Sequence, residues 1–235
     1  MRIWKVFILG VMAFELACQK TAQDPSLIGW WKFDEGKGSV ARDVSGHGLD
    51  GNVTGGRWAE GKSGKALRFD GRSFVEVEHR PIFDSLTAEL TVCAWVKRDT
   101  SRSWNTVVSR EIEGGWSETI GLAVFADTAL FSVDPDGSHY SNVKDTAACP
   151  VGEWTHLAGT VRDSTFTLHV NGKPVRSGRF NPPIRYADRN PLVLGGNTNT
   201  QGKEWIDLFH GIIDDARLYR RALDESEIRA MALDK

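Results

Sequence analysis

Two antiparallel sheets packed face to face, an all-β fold, are predicted by three features of this sequence. Apolar residues alternate with polar ones in one short segment after another from Leu27 to Tyr219. Clusters of Gly, Asn and Asp separate the segments, and no stretch has the spacing of a crossover helix between parallel strands. Composition agrees, since 9 Trp and 24 Gly against 3 Met in 235 residues describe stiff aromatic packing interrupted by many turns.

The elements follow in order. Leu27, Gly29, Trp31 and Phe33 share one strand face, with Lys32 and Asp34 on the other. The same alternation returns in 66–69, in 74–77, in 90–96, and in Phe166, Leu168 and Val170 against Thr165, Thr167 and His169. Asn171-Gly172 sits between that last run and Pro174-Val175, and both positions of a type I′ turn require positive φ, so a hairpin is predicted there. Further strands are expected over 106–109, 119–124, 130–133, 154–161, 192–195 and 211–219. One helix is readable: Asp224 with Glu227 three residues on makes a capping box, and Ile228, Met231 and Ala232 form its apolar stripe. It is expected to dock at the C-terminal edge of the sandwich. No linker or repeat divides residues 27–235, which read as one domain.

Residues 1–17 read as an export signal: Arg2 and Lys5 precede an apolar run from Val6 to Phe14, too short to span about 30 Å of hydrocarbon. Ala17-Cys18 resembles the bacterial lipobox, in which the Cys is lipidated and becomes the new N-terminus, although Glu15 stands where that pattern has an aliphatic residue. Lipidation of Cys18 and ordinary secretion are both open, and 18–26 is then a polar tether. The protein is expected to be secreted or held in the cell envelope, touching membrane only through such a lipid. Cys93 falls in an apolar strand and Cys149 in a turn-like stretch; an exported protein could pair them, and Cys93 reads as a core residue.

With 29 basic and 31 acidic residues the formal net charge is -2, which provides no long-range field for nucleic acid. There is no GxSxG turn, P-loop or GxGxxG, and the six His show no metal-ligand spacing.

Seven segments in order, WKFDEG (31–36), DVSGHGLDG (43–51), GKALRFDG (64–71), LTVCAWVK (90–97), EWTHLAGT (153–160), HVNGKPV (169–175) and FHGIIDDARLYRRAL (209–223), resemble the laminin-G-like, concanavalin A-like jelly-roll family. The resemblance implies a two-sheet jelly roll that serves as a carbohydrate- or protein-binding module, often with a structural calcium, and does not by itself imply catalysis. In that family the first and last strands lie side by side, so Asp34, Asp43 and Asp214 are the expected calcium ligands, hard oxygen donors of the kind the ion prefers. The alternative is that Asp43 caps a turn and Asp214 pairs with an Arg such as Arg217. Within 212–218 one of Asp214 and Asp215 must face inward or sit at a bulge. His156, in the WTHLAG segment, matches a position read as a structural hydrogen-bonding residue.

Glycoside hydrolysis needs two carboxyl groups at fixed separation. Glu76 with Glu78, and Glu111 with Glu113, have strand-face spacing, but Pro81 occupies the third acidic position of an ExDxxE pattern, and both pairs read as solvated faces. Binding fits better. Sugars stack on exposed aromatics and offer hydroxyls to polar side chains, so Trp104, Trp116 and Trp205, in polar or Gly-rich surroundings, are the candidate platforms, with Tyr140, Asn197 and Asn199 as hydrogen-bonding partners. Trp31, Trp95 and Trp154 read as strand-core residues. The partner is therefore a glycan or, as the alternative, a cell-surface or extracellular protein.

Overall fold

The computed structural model describes residues 24–101, 104–111, 118–185, 189–199 and 204–234. Residues 1–17, read above as an export signal, together with Cys18, Glu113 and Trp116, lie outside the described residues. In chain order the strands are β1 (Leu27–Trp31), β2 (Val40–Ala41), β3 (Gly51–Thr54), β4 (Arg57–Glu60), β5 (Lys65–Asp70), β6 (Phe74–Val77), β7 (Glu89–Arg98), β8 (Trp104–Glu111) and β9 (Glu118–Phe125). They continue with β10 (Thr128–Val133), β11 (Ser141–Ala148), β12 (Trp154–Arg162), β13 (Thr165–Val170), β14 (Lys173–Arg179), β15 (Leu192–Leu194), β16 (Asn197–Asn199), β17 (Glu204–Ile206) and β18 (His210–Tyr219). A short 3-10 helix covers Pro81–Ser85, and helix α1 covers Glu225–Leu233.

The first sheet runs β14-β13-β12-β7-β18-β5-β4, with β1 also on β18; the second runs β11-β10-β9-β8-β15-β6-β3-β2; and β16-β17 form a separate hairpin. All the pairs are antiparallel. Alternation sends Leu90, Val92, Ala94 and Val96 of β7 and Phe166 and Leu168 of β13 into one core with Val75, Val77, Ile120, Leu122 and Phe131 of the second sheet. Each fully buried side chain of this kind contributes about 1.5–3 kcal/mol. The sheets approach closely at Gly159, where a Cβ would lie 2.3 Å from the Phe131 ring.

The Asn171-Gly172 hairpin forms as expected, with φ of 49° and 78° between β13 and β14. The Asp224 carboxylate accepts the Glu227 N–H at 2.9 Å and Glu227 accepts the Asp224 N–H at 2.8 Å, completing the capping box. The helix packs on the outer face of the first sheet toward its β14 edge: Ile228 joins Leu27, Cys93, Ala158, Tyr219 and Leu223 in a second apolar cluster, and Arg229 and Ala232 lie against Gly172 of the β13–β14 turn. No helix among the described residues is long and apolar enough to cross a membrane.

Two expectations about side-chain direction need correction, and the cysteines are settled as thiols. A register shift between Leu27 and Gly29 turns Leu27 and Trp30 outward while Ile28, Trp31 and Phe33 face the core, so Leu27 and Trp31 do not share a face. Trp95 is buried on the outer face of β7, on the same side as Cys93, and does not belong to the inter-sheet core. Cys93 and Cys149 are free thiols, one in the outer cluster beneath α1 and the other in the core between the sheets.

Candidate functional site

Each sheet presents one outer face, and polar side chains gather on both. On the first sheet β18 has β5 as its neighbour over Ile213–His210 and β1 over Ala216–Tyr219. At the handover the register against β7 shifts between Asp214 and Arg217, and Asp215 takes a φ of 51°. This bulge aims two consecutive aspartates at different partners. Asp215 receives both Arg217 Nε, at 3.0 Å, and Nη2, at 2.7 Å, together with the Trp30 indole N–H. Asp214 accepts the backbone N–H of Lys62 at 2.8 Å and of Ser63 at 3.2 Å, fastening the β4–β5 turn. Arg217 therefore pairs with Asp215, not Asp214.

Around the bulge a pocket of about 190 Å³ is lined by Trp30, Lys32, Asp34, Lys62, Trp95, Asp214 and Arg217 among others. Its two indoles are covered by cations: Lys32 and Arg217 lie 4.8 and 4.4 Å from the Trp30 ring centre, and Lys62 lies 4.7 Å from that of Trp95. His156 meets the Trp95 ring at 5.3 Å. Its Nδ1 has no partner, and hydrogen bonding at this position comes from its backbone N–H to Asn171 Oδ1 at 2.9 Å. Burial pushes the His156 imidazole down to about 3.

The structure brings two of the three aspartates named as calcium ligands to this pocket. Asp34 and Asp214 both line it, with Asp34 Oδ1 accepting the Lys65 N–H at 2.9 Å. Asp43 is used elsewhere. Its carboxylate accepts the N–H groups of Trp30 at 3.0 Å, Ser45 at 2.8 Å and Leu49 at 3.0 Å, and the Ser45 hydroxyl at 2.7 Å, which makes it the organiser of its own turn. Among the described residues no three His, Cys, Asp or Glu side chains are grouped to hold a metal. With Lys32 and Lys62 beside the two remaining carboxylates, this donor set does not fit a hard divalent cation.

The outer face of the second sheet is different in kind. Gly121 and Ser132 are opposite each other on β9 and β10, and a Cβ on Gly121 would lie 2.5 Å from Ser132 Oγ and 3.3 Å from Glu118 Oε2. Glycine thus leaves room for the Glu118 carboxyl to lie over the strand. Glu111 and Glu118 are opposite each other on β8 and β9 at a register shift. The β16-β17 hairpin reaches this face, held by Ser109 Oγ donating to the Gly196 carbonyl at 2.8 Å. From it Asn197 Nδ2 donates to Glu118 Oε1 at 2.7 Å, and the Thr198 hydroxyl donates to Glu111 Oε2. Tyr140, 42% exposed, hydrogen-bonds to Ser132 through its hydroxyl.

Electrostatics couple these groups. Burial pushes the Glu118 carboxyl up to about 7, and the nearby Asp207 and Asp134 carboxylates add to the rise. Burial and then the Glu118 charge push the Tyr140 hydroxyl up to about 12. The arrangement sets acids, an amide and hydroxyls side by side where the hairpin meets the sheet, the inventory that can orient a polyhydroxylated molecule.

The sugar-contact candidates divide accordingly. Tyr140 and Asn197 come together at Glu118, and Asn199 continues the strand that carries Asn197. Trp205 stacks on Phe74 with centroids 3.5 Å apart and planes at 17°, so one indole face secures the hairpin to the sheet. Trp104 is at the opposite end of β8 from Glu111, tilted against Phe125 at 4.7 Å. Glu76 pairs with Asn52 in the sheet and Glu78 is ion-paired with Arg80. Glu118 and Thr198 were not singled out by sequence, because Glu118 has no local motif and its Asn197 partner is 79 residues away.

The two-sheet sandwich carries polar side chains on both outer faces, and family comparison identifies its class. The profile of the concanavalin A-like lectin/glucanases superfamily matches residues 69–229, and the chain belongs to that superfamily. No curated protein sequence matches it. Similar solved structures include domain 4 of AbnA, a GH43 extracellular arabinanase from Geobacillus stearothermophilus, in complex with arabinotriose: TM-score 0.72, 24% identity, covering 88% of this chain and 98% of that one. The binding domain of Paraclostridial Mosquitocidal Protein 1 gives 0.69 at 17% identity over 88% of this chain and 52% of that one. The binding domain of botulinum neurotoxin DC in complex with SialylT gives 0.65 at 13%, over 88% and 51% respectively. At these identities the likeness is one of fold.

Proposed function

We propose that this chain is an exported carbohydrate-binding module whose glycan site is the outer face of the second sheet around Glu118. The observation that carries the reading is convergence: from separate segments of the chain, Asn197 donates to the Glu118 carboxyl and the exposed Tyr140, bonded to Ser132, lies close enough to feel its charge. Sugars are held by such planar, directional acceptors and donors. The pocket on the first sheet is the weaker place for a sugar, since cations already cover its indoles. A domain of the same fold, domain 4 of the arabinanase AbnA, is in complex with arabinotriose, which supports the glycan class. Export and a lipid on Cys18 belong to the proposal; a calcium held by Asp34, Asp43 and Asp214 does not, because Asp43 serves its own turn.

A glycan array followed by affinity electrophoresis of wild type, Tyr140→Phe and Asn197→Ala tests it. The expected result is retention of wild type and at least about tenfold weaker binding for Asn197→Ala, the loss of one or two hydrogen bonds to a sugar. Absence of wild-type binding to any glycan would overturn the reading and leave an extracellular protein as the partner.

A further inference from the structure

We infer that helix α1 is an acid-released cover: protonation of His156 and His169, which stand on the face it closes, frees the helix from the first sheet while the core between the sheets stays folded. The device belongs to the first sheet and stands apart from the glycan reading of the second.

Alternation along β12 and β13 sends Leu157, Val161, Phe166 and Leu168 into the core and leaves His156, Ala158 and His169 on the outer face. Ala158 is opposite His169 across the two strands and packs with Ile228 of α1. The backbone N–H of His156 donates to Asn171 Oδ1 at 2.9 Å, and its carbonyl accepts the Asn171 N–H at 2.8 Å. A Cβ on the next residue, Gly172, would lie 2.9 Å from Arg229 Cα and 3.0 Å from Ala232 Cβ of the helix. The two histidines are only 2% and 5% exposed. Thr160 meets His169 Nε2 at 3.1 Å, and neither Nδ1 has a protein hydrogen-bond partner.

The polar and charged groups that surround these rings offer a proton no counter-ion. Strand β18 brings the Arg217 guanidinium, already bound to Asp215, and the Tyr219 hydroxyl, which meets Met231 of α1. Strand β7 brings Trp95, with Lys62 over its ring, and the Cys93 thiol. Helix α1 brings Arg229, and Asp234 at its end lines the pocket beside Trp95. Among the described residues the histidine ion pairs are those of His79, His139 and His210. A proton on either buried ring is therefore an unpaired charge, beside a fixed guanidinium in the case of His156. Burial, with the Arg217 and His169 charges adding, pushes the His156 imidazole down to about 3, and burial pushes that of His169 down to about 4.

With the helix lifted, both rings meet water and take protons near their ordinary value of about 6.5, so the closed form loses ground as pH falls below that value. At pH 4.5 each imidazole shifts the closed-to-open ratio by up to about a hundredfold. The helix resists weakly, since it has nine residues and buries only Ile228. Its own cap is not what acid removes in this range: the Arg221 bonds hold the Glu227 carboxyl below its usual value, and the Ser226 hydroxyl and Glu227 N–H do the same for Asp224.

The test is labelling of the full chain with 4,4′-dithiodipyridine between pH 7.5 and 4.5, mapped by peptide mass and normalised to denatured protein at each pH. Cys93, clustered with Ile228, reports opening of α1, and Cys149, in the core between the sheets, reports global unfolding. Cys93 is expected to label at least about a hundredfold faster at pH 4.5 than at pH 7.5, with Cys149 still protected. His156→Gln and His169→Gln should each cut that rise at least about tenfold, and either one suffices if the other fails to fold. Unchanged protection of Cys93 down to pH 4.5, an equal rise in the folded variants, or Cys93 and Cys149 becoming reactive together would overturn the inference.

Discussion

Replacing Asp214 by Asn separates a buried carboxylate that the fold tolerates from one that a cation needs. Asp214 is 2% exposed and takes two backbone N–H bonds from the β4–β5 turn. Burial outweighs those bonds and pushes its carboxyl from 3.8 up to about 6, with the Asp215 and Asp34 charges adding to the rise. A carboxyl raised in the folded state binds its proton more tightly there than in the unfolded chain. Its contribution to stability is therefore fully present below about pH 4 and is lost as pH rises to about 6. A difference of roughly two pH units corresponds to about 3 kcal/mol at neutral pH. Asn keeps an oxygen for the Lys62 and Ser63 N–H groups and carries no charge. Asp214→Asn is thus expected to exceed wild type in stability by up to about 3 kcal/mol at pH 7.5, with the difference closing near pH 4. Urea denaturation at four pH values between 4 and 7.5, with and without a chelator, measures it. A variant less stable than wild type at pH 7.5, together with a wild type weakened by chelator, would refute this account and return calcium to Asp34 and Asp214.

Two further outcomes concern stability alone. Asp43→Ala removes the acceptor for four hydrogen bonds around one turn and should cost about 2–3 kcal/mol in urea titration, whereas an unmoved midpoint would show that water replaces the carboxylate. Gly159→Ala places a methyl 2.3 Å from Phe131 ring carbons in a closed core, so a loss of about 1–3 kcal/mol is expected by thermal melting, and a wild-type melting temperature would mean that the sheets separate freely there.

Much of the architecture was legible because its causes are local. Period-two burial in β5, β7 and β13, the positive φ demanded at Asn171-Gly172 and the reciprocal cap at Asp224 each depend on a few neighbouring residues. What was hidden depends on displacement by one residue or on distant partners. The shifts in β1 and β18 change which side chains face the core, and they moved Leu27 outward and gave Arg217 to Asp215. Strand β11 was missed because SNVKDTAA has little alternating apolar character. The site was half legible: Tyr140 and Asn197 are the residue types that sugars need, but the carboxyl uniting them is set in place by a bulge at Glu118 and by the hairpin rising from Gly196.

The two outer faces divide the work of the molecule for a reason visible in the chain's path. Asp24, where the described chain starts, accepts from Arg221 Nη2 at 2.6 Å, and Arg221 in turn holds Glu227 of α1. The first strand and the closing helix thus meet on the first sheet, and their apolar side chains bury Cys93, Ala158 and Tyr219. That face is spent on closing the fold, and its remaining indoles are covered by Lys32, Lys62 and Arg217. On the second sheet the β16-β17 hairpin is bonded onto Ser109 and Glu118, while Tyr140 beside it stays 42% exposed.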